Sequence, residues 1–278
     1  MSNKISMRQN RSQSQAPLLE ELLRYTRRPL RPFHMPGHKA GLGLEGIWKR
    51  LGFPARLDLT EISAFCWESS LQAAEQLAAQ FYQADRSYFL VQGASQGILC
   101  GMLGAFQPGD TVLVGRNCHL SVIHGLILGD LNPVFLEVDW VPEWGLPAGI
   151  RPDILAKALN EHPDSKGLIV TNPTYQGIAN RLHTYRVELG DRTLMVDEAH
   201  GGHLGWCGLN GYDAWEDADI WVQGTHKILG SLTQTGILHL REGRIDPDRV
   251  QRCLEWITTT SPSYILLAAL DSNRRWLF

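Results

Sequence analysis

The residue with the most specific chemistry open to it is a lysine just beyond an apolar run, in Gln223-Gly224-Thr225-His226-Lys227. A primary amine in a polar crevice condenses with an aldehyde to give a Schiff base. Most lysines are solvated surface charges, and the chain holds 26 Lys and Arg in all, so position must decide. Upstream, Gly93-Ala94-Ser95-Gln96-Gly97 is a glycine-rich turn between a predicted strand and a predicted helix. Backbone N–H groups and the helix dipole at such a turn attract phosphate, and Ser95 adds a hydroxyl. Taken alone, this is also the pattern of an ordinary Ser-capped helix. Arg116-Asn117-Cys118-His119 follows another apolar run. A flat imidazole there could stack on an aromatic ligand, or simply be a partly buried histidine.

Between these lies Val196-Asp197-Glu198-Ala199-His200-Gly201-Gly202-His203. Three chemistries compete for it. A DEAH-type nucleotide box needs a GxxxxGK[ST] loop upstream, which the sequence lacks. Zinc ligation by His200 and His203 has no HExxH pattern or cysteine set behind it, so no metal is expected. The third is Asp197 paired with a pyridinium nitrogen. A buried carboxylate beside a cation stays ionised and keeps that nitrogen protonated, which makes the ring an electron sink.

These residues need elements to position them. Short apolar runs predict seven strands: 87–91, 111–114, 133–138, 167–171, 193–196, 220–222 and 236–240. Helices are expected over 17–30, 68–83, 95–106, 121–128 and 153–160. The alternation predicts an α/β, three-layer architecture with a mainly parallel seven-stranded sheet covered on both faces. Ligands of such sheets sit at the carboxyl ends of the strands, where all the polar clusters above fall.

The organisation reads as a disordered polar tail (1–16), a helical and loop segment (17–86), a ligand-binding domain (87–264) and the start of a further helix (265–278). Of 278 residues, 44% are hydrophobic and 20% charged, and the net charge is −3. That balance argues against nucleic acid and against a membrane surface as partner. Five scattered cysteines without a CxxC pair point to a reducing, cytoplasmic setting.

A phosphate turn, a stacking His, a strand-end Asp and a strand-end Lys, in that order, resemble a fold type I pyridoxal-phosphate (PLP) enzyme. More narrowly, the sequence resembles the major domain of the ornithine/lysine/arginine decarboxylase family. The matching stretches are FHMPGHKAG (33–41), DLTEI (58–62), FLVQGASQGI (89–98), RNCHLSV (116–122), TNPTYQG (171–177), VDEAHGGH (196–203), GTHKILGSLTQTGILH (224–239) and TSPSY (260–264). The resemblance implies that Lys227 carries PLP, Asp197 pairs with the ring nitrogen, and His119 and Ala199 cover opposite ring faces. Ser95, the Ala94 and Gln96 backbone, and Thr225 would hold the phosphate. His200 and His226 would lie near the reacting carbon, and the PGHK and TSPSY segments would border the site and a homodimer interface. It further implies α-decarboxylation of arginine, lysine or ornithine to a polyamine precursor. Other PLP reactions on the same fold, and a non-catalytic PLP-fold protein, are the rival readings. Two positions depart from the family pattern: Leu120 replaces a frequent Lys, and Gly224 replaces a phosphate-binding Ser. Family members also continue into a C-terminal small domain, which the sequence is expected to lack.

Overall fold

Strands that are apolar at every position must be covered on both faces, and the centre of this chain meets that condition. Across residues 168–170, 194–196 and 220–222 no side chain is more than 5% exposed. A computed structural model describes residues 13–29, 31–60, 67–209 and 211–278. Its main sheet has seven strands in the order β1-β9-β8-β7-β6-β2-β3. These are β1 (Arg86–Leu90), β2 (Thr111–Gly115), β3 (Asn132–Leu136), β6 (Gly167–Thr171), β7 (Thr193–Asp197), β8 (Ile220–Gln223) and β9 (Gly236–Leu240). Strand β9 runs antiparallel to both of its neighbours, and the other pairings are parallel. The α/β class and the mainly parallel seven-stranded sheet match the expectation from sequence.

Period-2 alternation splits the strand side chains between two apolar layers. One layer joins Leu113, Leu168, Val170, Leu194, Val196 and Trp221 to helices α1 (Pro17–Thr26), α3 (Trp67–Phe81), α6 (Pro152–Glu161), α7 (Leu182–Leu189) and α10 (Tyr264–Leu277). The other joins Val112, Val114, Ile169, Met195, Ile220 and Val222 to α4 (Gly93–Ala105), α5 (Leu120–Leu128) and α9 (Pro247–Ile257). Helix α4 lies close against both the sheet and α9. A Cβ at Gly101 would come within 2.8 Å of Met195 Cε, and one at Gly104 within 2.8 Å of the Val250 Cα.

Several elements were not anticipated: the short α2 (Gly46–Arg50), the hairpin β4 (Trp140–Val141) with β5 (Leu146–Pro147), and the helices α7 and α9. The four-residue helix α8 (Thr225–Ile228), with Gly224 as its N-cap, was read only as a strand end. The first helix stops at Thr26 rather than running on towards the Pro29 that follows. Residues 1–12 of the expected tail, Leu30, and Glu61 and Ile62 of the DLTEI stretch lie outside the described residues. No helix among the described residues is long and apolar enough to cross a membrane.

Helix α10 is tied to the start of the chain by buried polar groups. Asp271 Oδ2 accepts from Leu18 N at 2.9 Å, occupying one of the free N–H groups of α1. Arg274 donates to Gln13 O at 2.7 Å, to Gln15 O, and to Asp271 Oδ1 at 3.1 Å. Both ionic side chains are 0% exposed. Burial pushes the Asp271 carboxyl up and the Arg274 guanidinium down, and each opposes the other's shift. Replacing one partner leaves the other buried and unpaired. Arg274→Met is therefore expected to destabilise the chain by about 3 kcal/mol, measured as a shift of the urea midpoint. An unchanged midpoint would show that the pair is not a structural tie.

Candidate active site

The reversal of β9 explains how the polar clusters meet. Parallel strands bring the segments after β1, β2, β6, β7 and β8 to one edge of the sheet. The antiparallel β9 adds the segment before it. A cavity of about 590 Å³ opens there, lined by Gln92–Ser95, Ile98, Asn117–His119, Ser121, Thr171, Tyr175, Asp197, Ala199, His200, His226, Lys227, Thr233 and Gln234.

The turn after β1 is set by Gly93, whose φ of +75° is left-handed backbone that glycine adopts without strain. Its N–H donates to Gln234 O at 2.8 Å, which fixes the turn against the loop before β9. No side chain caps α4, and its first residues, Gly93, Ala94 and Ser95, line the cavity. Gln96 does not line the cavity. It is buried, accepts from Gln92 N at 3.2 Å through Oε1, and donates to Thr258 Oγ1.

His119 is the N-cap of α5. Its Nδ1 accepts from Ser121 N at 3.1 Å, so in the neutral ring the proton sits on Nε2. The imidazole is thereby fixed at the cavity wall and is exposed. Ala199, 8% exposed, gives the wall a small apolar patch beside Asp197.

Asp197 ends β7, opposite Thr171 in the register with β6, and is 3% exposed. Its Oδ1 accepts from Ala199 N at 3.1 Å. Burial raises its pKa, while the Ala199 N–H and the charges of Lys227 and His119 oppose the rise. Thr171 Oγ1, on the same wall, is buried with no hydrogen-bond partner. Lys227 stands in α8, exposed at the mouth, with Nζ 3.0 Å from His200 Nε2. Desolvation pulls its pKa below the usual lysine value, partly offset by Asp197. His200 is also held below the ordinary histidine range, first by burial and then by Lys227 and the two nearby histidines. Neutral His200 thus stands in hydrogen-bond contact with an amine whose pKa is lowered by desolvation. His226 Nδ1 pairs with Thr235 O at 2.7 Å, which leaves Nε2 as the free acceptor of the neutral ring.

Thr225 departs from the expectation. It is 0% exposed, donates from Oγ1 to Thr235 Oγ1 at 2.9 Å, and is absent from the cavity wall. Its hydroxyl is engaged at the α8–β9 junction. Gly224 has a local reason: a Cβ there would come within 3.0 Å of Ala199 O and 3.1 Å of Lys227 Cδ, so a larger residue would press on the lysine stem. The PGHK and TSPSY segments do not line the cavity. Within the first, Lys39 Nζ donates to His34 O at 2.7 Å and His38 Nε2 meets Asp58 Oδ2 at 3.1 Å. Thr171, Thr233 and Gln234 line the cavity without having been assigned roles from sequence; the last two get there because β9 is reversed. Among the described residues, no cluster of His, Cys, Asp and Glu could hold a metal.

The sheet order, the strand-end cavity and the facing Asp and Lys define the large domain of a fold type I PLP enzyme. The chain belongs to the Orn/Lys/Arg decarboxylase family, whose major domain matches residues 16–277. It is 38% identical over 276 residues to an arginine decarboxylase of Bacillus subtilis, covering 96% of this chain and 56% of that protein. It is 25% identical to the inducible lysine decarboxylase of Escherichia coli, over 92% of this chain and 39% of that one. The chain thus spans about half the length, or less, of these curated relatives. In fold it is similar to the constitutive lysine decarboxylase of E. coli, with a TM-score of 0.83 at 23% identity over 95% of this chain and 41% of that one. The more distant serine palmitoyltransferase of Sphingomonas wittichii gives 0.60 at 20% identity, covering 74% of this chain and 50% of that one.

Competitive labelling with an acylating reagent followed by mass spectrometry tests the electrostatics. Lys227 is expected to label at lower pH than the surface lysines, because desolvation favours its neutral amine. Asp197→Asn removes the charge that retains its proton, so the labelling midpoint should fall further. A rise in that midpoint would contradict the arrangement.

Proposed function

We propose that this domain binds PLP through Lys227 and serves the α-decarboxylation of a basic amino acid. The observation that carries the reading is the buried carboxylate of Asp197 facing the low-pKa amine of Lys227 across one cavity. A carboxylate desolvated this way is stabilised by a cation, and a pyridinium nitrogen supplies one. The amine of Lys227 suits attachment to the cofactor aldehyde. The N-terminus of α4 with Ser95 suits the phosphate, without help from Thr225. His119 and Ala199 supply the two stacking faces, and the unpartnered Thr171 hydroxyl suits a polar ring substituent. Among the relatives, those named arginine and lysine decarboxylases support the reaction class.

When bound, the cofactor supplies an electron sink for the electron pair left behind as CO₂ departs. The protein's task is then to return one proton to the α-carbon. Lys227 Nζ and His200 Nε2, in contact at 3.0 Å, are the pair placed to store and deliver it. Of the two, Lys227 holds the proton and neutral His200 accepts a hydrogen bond from it, so the proton stays beside the reacting carbon without charging the imidazole. Product as a polyamine precursor, a homodimeric or higher assembly and a cytoplasmic location belong to the same reading.

Borohydride reduction of the PLP-treated chain tests the first half. A phosphopyridoxyl adduct should map to Lys227 and vanish in Lys227→Ala; an adduct on another lysine refutes the assignment. Carboxyl-labelled arginine, lysine and ornithine test the second half. Labelled CO₂ from one of them supports the decarboxylase reading, and its absence with cofactor fully bound rejects it for this chain.

A further inference from the structure

A line of buried polar side chains runs beneath the site, and none of the chemistry above uses it. Glu198 follows Asp197 directly but turns to the other side of the sheet, 0% exposed. Its Oε1 accepts from Ala214 N at 2.8 Å and its Oε2 from Gln223 Nε2 at 2.7 Å. Gln223 is the last residue of β8, four positions before Lys227, and is 0% exposed. Its Oε1 lies 3.4 Å from His239 Nε2, and His239 Nδ1 lies 2.7 Å from Ser87 Oγ. His239 is stacked on Trp221 with ring centroids 5.0 Å apart, and Tyr82 lies 4.6 Å away on another side. One chain of contacts thus crosses β7, β8, β9 and β1, the four strands whose ends carry Asp197, Lys227, Gln234 and Gly93.

Polar groups in a dry core are costly unless every member is paired, and a paired network specifies one arrangement of the elements that bear it. Asp197 and Lys227 sit on neighbouring strand ends, and the shortest side-chain link between those ends is Glu198 to Gln223. We propose that Glu198 is a positioning residue. Through Gln223 it holds the Asp197 and Lys227 strand ends at the separation at which carboxylate and amine converge on one ligand. This inference rests on the reading that the cavity takes PLP. Burial, with a smaller push from the nearby Asp213 charge, raises the Glu198 carboxyl to about 8 against the Gln223 and Ala214 hydrogen bonds, so a full negative charge is costly there. Burial likewise pushes His239 down to about 3, so its ring is neutral. A neutral glutamine can therefore replace Glu198. It keeps an acceptor for Ala214 N, and its amide N–H₂ pairs with Gln223 once the Gln223 amide turns over to present Oε1, with neutral His239 taking its other tautomer.

The test compares wild type, Glu198→Gln, Glu198→Ala and Gln223→Met by equilibrium dialysis with PLP and by visible circular dichroism of the bound cofactor. All are measured well below their melting temperatures. Glu198→Gln should bind within about twofold of wild type, while Glu198→Ala, which leaves buried groups unpaired, should bind about tenfold more weakly with a reduced visible signal. Gln223→Met, apolar and of similar volume, should weaken binding in the same way. It also carries the test if Glu198→Ala does not fold. A lower melting temperature with wild-type PLP affinity and signal in the alanine and methionine variants would overturn the positioning role. So would equal weakening by Glu198→Gln and Glu198→Ala. If the wild-type chain itself binds no PLP and gives no reduced adduct, the cofactor reading fails, and this inference with it. Wild-type binding with an indifferent Glu198→Ala removes the positioning role alone.

Discussion

A carboxylate at 3% exposure, given one backbone N–H and little water, is the constraint around which this molecule is arranged. Desolvation makes an isolated Asp197 expensive to ionise, and the cost is met by cations drawn to it. Lys227 is the one the protein provides, on the wall of the same cavity. The reciprocal effect appears at Lys227, which loses some hold on its proton to desolvation and regains part of it from Asp197. Neither group has the properties of an exposed side chain of its type, and each owes its departure to the same enclosure.

The fold makes that enclosure from strand ends. Five strands deliver loops to one edge because they run parallel. The reversed β9 contributes the loop before it, and Gly236 lets β9 pass so closely that a Cβ there would meet Gln223 O at 2.9 Å and Ala94 N at 3.2 Å. Gly224 is the counterpart on β8. Its lack of a side chain leaves the Lys227 stem unobstructed, which gives a physical reason for a residue that departs from the pattern of similar sequences.

Much of this was legible in the sequence because the signals were local and strong. Continuous apolar runs such as Gly167–Thr171 and Thr193–Asp197 mark buried strands, and polar residues immediately after them mark strand ends. The directions of hydroxyls and amides were not legible. Thr225 stands in the right stretch, yet its hydroxyl turns to Thr235, and the Gln96 side chain, for which no role was expected, turns to Thr258. Only the packing of α8 against β9, and of α4 against the residues after α9, decides that. Helix α9 did carry a readable start, an Asp246 cap followed by Pro247, with buried Val250, Cys253 and Leu254 at helical spacing. Helix α7 carried much less, with a polar surface and buried residues only at Leu182, Tyr185 and Leu189. Thr233 and Gln234 were hidden because strand direction is a property of the whole sheet.

The pairing of β1 with β9 also bears on when the site comes into being. Ser87 and His239 are neighbours in the sheet but 152 residues apart in the chain. The turn at Gly93 is fixed by the carbonyl of Gln234. Contacts that distant are late events in folding, since the loop between them must close first. As the chain emerges from a ribosome, β2, β3, β6 and β7 can assemble while the turn at Gly93 still has no partner. The site is completed by nearly the last strand made, so a nascent chain has no finished cavity to fill until almost all of this domain has been synthesised.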